Sequence, residues 1–232
     1  MDRNVGTVNI KARGKAAGVR RPAAGARRYH HGNLRLALIE AGLAELEAGE
    51  RGDISLRGLA RRVGVSANAS YRHFADKEAL LVALAAEGFR RFGAAQAAAA
   101  RNHPADGFRA AGRAYVDFAR ANPALFRLMF GRFTSSHREP ELEQASTLAY
   151  DGLRAFVGQD LGPRASPAQL AAGAVRAWSL VHGLANLILD GQLDGVAGDT
   201  DALIDAVLRQ SSAASAAGAA APAARPRRPA RR

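Results

Sequence analysis

The sequence predicts an all-α protein: an N-terminal three-helix unit containing a helix-turn-helix, joined to a C-terminal helical bundle, about nine helices in all. Three observations carry that expectation. Apolar residues between 33 and 210 recur at three- and four-residue spacing, without a convincing strand run. Capping residues and prolines punctuate the pattern at helix-sized intervals. Hydrophobic residues make up 48% of the chain but aromatics only 6%, so small and aliphatic side chains must do most of the packing.

The elements follow in order. A first helix opens near Asn33 and closes near Gly49, with Leu36, Ile39, Leu43 and Leu46 as one apolar stripe. Ser55 caps a short second helix that sets Leu56, Leu59, Ala60 and Val63 on one face and stops at Gly64. Ser66 caps a third, about two turns long, whose inward set is Ala67, Ser70, Tyr71 and Phe74. Asp76 caps a long fourth helix with Leu81, Leu84, Gly88 and Phe92 on one side, running out by Asn102-His103-Pro104. Further on, Asn122-Pro123 and Ser166-Pro167 each pair a capping residue with Pro at the first helical position, where a missing N–H costs nothing. Pro140 takes the same place in another helix. Gly158, Gly162 and Pro163 mark a loop, and Asp199-Thr200 opens a last helix through Leu208.

Charge divides the chain. Residues 1–32 carry eight Lys/Arg against Asp2, residues 211–232 carry five Arg and no acid, and 33–210 balances, so the whole net charge of +12 lies in the two ends. Those ends are Ala, Gly, Pro and Arg, a composition that cannot bury enough apolar surface to fold. The expected organisation is a disordered basic arm (1–32), a helix-turn-helix domain (33–78), a regulatory and dimerisation domain (79–210) and a disordered Ala/Pro/Arg-rich tail (211–232). Arms of this kind add salt-sensitive, non-specific attraction to nucleic acid, or serve as solubilising linkers.

Other classes are excluded by what the sequence lacks. With no Cys there are no disulfides, thiol nucleophiles or thiolate metal sites. The N-terminus has no apolar leader, and Trp178–Leu189, the most apolar stretch, is too short and too polar to span a bilayer. A soluble cytoplasmic protein, associated with the nucleoid and not with a membrane, is expected. No Gly-rich phosphate loop, H-E-x-x-H or G-x-S-x-G occurs. The six His are scattered, His30-His31 being an adjacent pair in the arm, and Glu139, Glu141 and Glu143 have no His partner. No enzymatic activity, metal or cofactor is expected.

Two short helices joined by Gly64-Val65-Ser66 make a helix-turn-helix. The outward positions of the third helix are Asn68, Ala69, Arg72 and His73, small or hydrogen-bonding where a merely soluble helix would carry Glu and Lys. Between Ile54 and Ala75 stand Arg57, Arg61, Arg62 and Arg72 and no acid, which suits a surface facing phosphates. Ser55 and Ser66, at helix N-termini, suit phosphate oxygens. Tyr71 can lay its ring on the core and offer its OH to the backbone, His73 can donate from a ring nitrogen, and Lys77 can meet a phosphate. Asn68 can pair with adenine and the Ala69 methyl can touch thymine, while Arg72 can reach a base or a phosphate. Taken singly, each is also an ordinary surface or capping group.

The stretch GLARRVGVSANASYRHFADKEALL (58–81) resembles the signature of the TetR family of bacterial transcriptional regulators, in which a Gly-Val-Ser turn precedes a Tyr-x-His-Phe helix and a Lys. That resemblance implies a homodimer of nine-helix subunits, with helices one to three on double-stranded DNA and the rest forming a ligand pocket and the dimer surface. By position it implies phosphate contacts from Ser55, Ser66, Tyr71, His73 and Lys77, and groove-facing roles for Ala67, Asn68 and Ala69. Two residues depart from the family pattern: Asn68 replaces the usual Gly or Ala, and Ser70 the usual Leu or Ile. Residues 114–119, 122–130 and Trp178 with His182-Gly183 are similar to the subgroup named for a C-terminal Trp-His-Gly.

In the C-terminal part, Phe108, Tyr115 and Phe118 share one helix face, Phe126, Met129, Phe130 and Phe133 cluster on the next, and Trp178 and His182 lie a turn apart. These residues either line a pocket for an apolar or aromatic small molecule, with Tyr115 and His182 as polar anchors, or form the core of the bundle. By family analogy Trp178, Val181, Ala185 and Leu189, with Leu203 and Val207, pair with a second subunit instead. The expected mechanism is a dimer reading two half-sites about one DNA turn apart, roughly 34–36 Å. A ligand that prefers the wrong separation lowers DNA affinity, by about 1–3 kcal/mol. The alternative is an architectural protein coating DNA through its arms, with steep salt dependence and little sequence preference.

Overall fold

Helical periodicity is realised as nine α-helices among the described residues. They are α1 (Leu34–Glu47), α2 (Leu56–Val63), α3 (Ala67–Tyr71), α4 (Lys77–Asn102), α5 (Gly107–Ala121), α6 (Pro123–Met129), α7 (Pro140–Leu161), α8 (Pro167–Leu189) and α9 (Thr200–Ala219), with a 3₁₀ turn at Pro104–Asp106. No strand occurs among these residues. The computed structural model describes residues 34–49, 54–131, 140–196 and 198–219, with 211–219 as helix backbone only. The basic arm with His30-His31, Phe133, Glu139 and residues 220–232 lie outside the described residues.

The N-terminal unit packs α1, α2 and α3 around Leu38, Leu59 and Phe74, with α4 closing it through Leu80 and Leu84. The α1 stripe is rotated from the expected one. Ala37, Leu38, Ile39, Gly42 and Leu43 are buried, whereas Leu36 is 41% exposed, because α1 is covered from two sides, by α2 and by α4 and α6. All three expected caps of the N-terminal unit (the reader, for the DNA-reading role expected of it) form: Ser55 Oγ accepts from Gly58 N (3.1 Å), Ser66 Oγ from Ala69 N (3.3 Å) and Asp76 Oδ1 from Ala79 N (2.8 Å). Gly64 ends α2 at φ +77°, a left-handed conformation that glycine adopts without a Cβ penalty.

α4 is the axle of the molecule. It leaves the reader and packs against α5, α6 and α7, burying residues all round its circumference from Leu80 to Phe92. The stripe expected from Leu81, Leu84, Gly88 and Phe92 is therefore only part of what it buries, and Leu81 itself is half-exposed. At Gly88 a Cβ would lie 2.7 Å from Met129 Sδ and 2.9 Å from Leu125 Cδ1, so the absent side chain lets α6 approach closely.

Several boundaries depart from expectation. Ser166 forms a full capping box with Gln169, but Asn122 makes no cap, its amide donating back to the Phe118 carbonyl at 3.0 Å. Gly158 lies inside α7, and the chain turns only at Gly162, φ +83°. α9 extends to Ala219, past the expected Leu208 and into the segment read as disordered tail, because its Ala-rich continuation favours helix. α8 is 23 residues long and the one described helix long and apolar enough to cross a membrane by length and composition. Here it packs in the bundle against α5 and α7.

Candidate nucleic-acid interface and the cavity behind it

α3 is only five residues long, shorter than the two turns expected, and is held by one buried face. Ser70 is fully buried and its Oγ donates to the Ala67 carbonyl at 2.7 Å, so the hydroxyl standing where the family has an aliphatic residue is satisfied locally. Phe74 is 3% exposed, with the Arg35 guanidinium 5.3 Å above its ring. These contacts fix which side of α3 looks outward. Asn68, Tyr71, Arg72 and His73 are exposed, Ala67 and Ala69 half-buried, and Ser55, Arg57, Ser66 and Lys77 exposed on the flanking turns and helices.

Two expectations need correction. Tyr71 is 44% exposed and does not lie on the core; Ser70 and Phe74 fill that face, leaving the ring on the outer side. Arg62 faces Glu45 of α1 at 3.9 Å, so one of the four arginines is partly neutralised within the chain. Arg57, Arg61 and Arg72 have no acidic partner among the described residues and supply the open positive charge of this surface. Such a surface can hold phosphates with Arg, Lys and two helix N-termini while presenting an amide and a methyl to base edges.

Behind the reader, α4, α5, α7, α8 and α9, with Phe130 after α6, line an open-mouthed cavity of about 180 Å³. Of the residues proposed for a pocket, Phe108, Tyr115, Phe130 and Trp178 line it. Phe118, Phe126 and Met129 do not. Phe126 and Met129 are 1% and 4% exposed in the core, Met129 wedged at Gly88, and Phe118 packs edge-on against Phe92 at 5.4 Å. His182 stands one layer further back. Its Nδ1 shares a 2.8 Å hydrogen bond with Tyr115 Oη, and its ring meets Phe130 edge-on at 4.7 Å. Burial pushes the Tyr115 hydroxyl pKa well above its usual value, against an opposing pull from Trp178, and burial holds His182 below its usual 6.5. The pair is thus a neutral hydrogen-bonded backing to the cavity wall.

Sequence reasoning missed several of the walls. Phe92, Tyr150 and Leu153 line the cavity, as does Gln96, which is 7% exposed and has no hydrogen bond among the described residues. The signal was present: Leu84, Gly88, Phe92 and Gln96 recur every four residues, so the polar residue continues an apolar stripe. Tyr150 and Trp178, at 37% and 39% exposure, form the rim, their centroids 6.2 Å apart.

The residues expected at a subunit interface divide as well. Val181 and Ala185 are buried within the chain, at 8% and 0%, and Leu189 and Val207 pack against the main core. The α8 face carrying residues 174, 177, 181 and 184 turns inward, so its outward apolar positions are Ala172, Val175, Gly183 and Leu187 instead. Leu203 is half-buried on α9. Among the described residues no three His, Asp or Glu gather to hold a metal ion.

Comparison with known proteins finds two matching stretches. Residues 38–84 match the family described as bacterial regulatory proteins, tetR family, and residues 108–211 match a tetracyclin repressor-like C-terminal domain, a description that does not specify the Trp-His-Gly subgroup. A solved structure of a protein of unknown function from Rhodococcus sp. RHA1 is 34% identical, with a TM-score of 0.67, covering 83% of this chain and 98% of that one. A structure described as "putative regulatory protein SCO4313" shares the fold at 21% identity and a TM-score of 0.63, covering 80% and 98%. No curated protein matches the sequence.

Proposed function

This chain belongs to the TetR family of bacterial regulatory proteins and is a DNA-binding transcriptional regulator; we propose that it acts in the cytoplasm as a homodimeric repressor, released from a pseudo-palindromic operator by a small apolar or aromatic molecule. The observation that carries the reading is the outer side of α3. An exposed Asn68 and Tyr71 on α3, with Arg72 and His73 in the turn after it, sit beside Arg57 and Arg61, which have no acidic partner among the described residues, and the buried Ser70 and Phe74 hold this short helix in place. Phosphate contacts come from Ser55, Arg57, Ser66, Tyr71, His73 and Lys77, and base readout from Ala67, Asn68, Ala69 and Arg72. Two copies pair through the outer α8 face, where Val175 is 54% and Leu187 45% exposed and Gly183 leaves open space for a partner helix. Occupation of the cavity by a ligand shifts α4, the helix shared between cavity and reader, and so changes half-site spacing.

The test is selection of bound fragments from the source genome at near-physiological salt. A pseudo-palindrome enriched by the protein and lost with Tyr71→Ala supports the reading. Enrichment without a motif, unchanged by Tyr71→Ala, would leave an architectural binder driven by the basic ends.

A further inference from the structure

The cavity carries information about its occupant. Its walls are mostly aromatic and aliphatic; Ser146 of α7 adds a small hydroxyl, and two larger polar side chains stand among them. Gln96 is more than nine-tenths buried, lines the cavity and lacks a hydrogen-bond partner among the described residues. Its amide is not sealed from the cavity, so water or a guest there supplies its hydrogen bonds. Among the described residues Arg109 is the one ionisable side chain other than tyrosine along the wall, and its guanidinium is already engaged by Asp106.

Charge therefore selects against ions of either sign. Among the described residues no Asp, Glu, Lys or His lines the cavity, so a cation would find no counter-ion in these walls, and an anion would meet an arginine already neutralised. The amide of Gln96 offers both a donor and an acceptor, which a group of the same kind matches best. Size bounds the rest. Benzene fills an apolar cavity of about 150 Å³, so about 180 Å³ takes a single ring with a short substituent, roughly eight to twelve non-hydrogen atoms. The surrounding rings, Phe92 and Tyr115 at 4.8 Å edge-on among them, suit an aromatic guest.

Resting on the reading of this cavity as the effector site, we infer that the effector is a compact, uncharged aromatic compound whose amide-like group, donor and acceptor together, is held by Gln96. Its recognition is by one amide anchor inside a mostly apolar shell, and discrimination falls between neutral and charged forms of the same skeleton.

Four probes that share a phenyl ring and a short arm separate the possibilities: 2-phenylacetamide, phenylacetate, 2-phenylethylammonium and propylbenzene. Trp178, the only tryptophan of the chain, stands at the rim and reports binding by its emission, with the melting temperature as a second readout. Phenylacetamide is expected to bind at least about tenfold more tightly than either ion, since one buried group left unpaired is worth that much or more. Gln96→Leu should lose about tenfold for phenylacetamide and nothing for propylbenzene. An ion binding as tightly as the amide overturns the inference, as does an amide-to-hydrocarbon ratio unchanged by Gln96→Leu. The wild-type ranking decides alone should that variant fail to fold. If none of the four binds, the cavity is not a ligand site, and the effector reading falls with the inference; binding in the wrong order overturns the inference only.

Discussion

Glu141, at the start of α7, lies between two arginines that belong to different parts of the chain. Arg35 of α1 reaches it from the reader and Arg90 of α4 from the axle, and Arg91 beside it binds Glu40 of α1. α7 also supplies the cavity wall one to three turns further on, at Ser146, Tyr150 and Leu153. The tie thus joins the cavity wall to the helix against which α3 packs. Burial alone would raise the Glu141 pKa, but its hydrogen bonds to Arg90 and Arg35 outweigh that and hold it below the usual carboxylate range. The perturbation is Glu141→Gln, which keeps the shape and removes the charge. With the three side chains 31–42% exposed, each pair contributes at the surface scale of about 0.2–1 kcal/mol, so the loss is about 1 kcal/mol in all. Because the shifted group is a depressed acid, the stabilisation is present above its unfolded pKa and lost as pH falls through the lowered value. The assay is urea unfolding of wild type, Glu141→Gln, Arg35→Met and the double variant. The loss should shrink markedly between roughly 0.1 M and about 1 M salt, as the screening length falls from about 10 Å to about 3 Å. A coupling between Arg35 and Glu141 below about 0.2 kcal/mol at low salt, or a loss that ignores salt, would refute the ionic tie.

Other expected outcomes bear on the core, the cavity backing and the reader. Ser70→Ala removes the hydrogen bond to the Ala67 carbonyl and should cost about 0.5–1.5 kcal/mol, read as a lower melting temperature. Tyr115→Phe leaves His182 Nδ1 without its partner and should cost about 1–3 kcal/mol in urea unfolding. His182 is held neutral, with a folded pKa below 6.5, so wild-type stability should fall as pH drops from about 6.5 towards the lowered value. His182→Leu should flatten that slope in melting curves taken at successive pH values. Arg57→Ala should weaken DNA binding on all sequences alike and reduce the slope of log affinity against log salt by about 0.9. It should leave the melting temperature unchanged, since the side chain is exposed and makes no ion pair among the described residues.

What the sequence revealed of this fold was whatever a cap or a period-four stripe encodes locally. Ser55, Gly64, Ser66 and Asp76 mark the reader unambiguously, because each satisfies or ends a helix through its own side chain or backbone conformation. Side-chain direction was harder where an element is covered from two sides. Leu36 and Tyr71 lie on outward faces that periodicity alone places inward, because α1 and α3 are packed by neighbours at angles no stripe encodes. In α8 both faces are apolar, so Val181 and Ala185 look the same in sequence as Val175 and Leu187, and only the packing of α5 and α7 separates them. Asn122-Pro123 reads as a cap, yet the Asn amide turns back to Phe118. Gln96 was legible as a polar residue on an apolar stripe, but the cavity that gives it meaning is made by five helices spread along the sequence.

If α3 reads sequence, the basic ends only add attraction to DNA. The most direct measurement is the affinity of the protein for its selected palindrome against a scrambled duplex of equal length, at physiological salt, with residues 1–32 and 220–232 present and then removed. Reading by α3 gives a specificity ratio of about 10³ or more that survives the trimming, while both affinities fall together. A ratio near one, or a ratio that disappears with the basic ends, would contradict it.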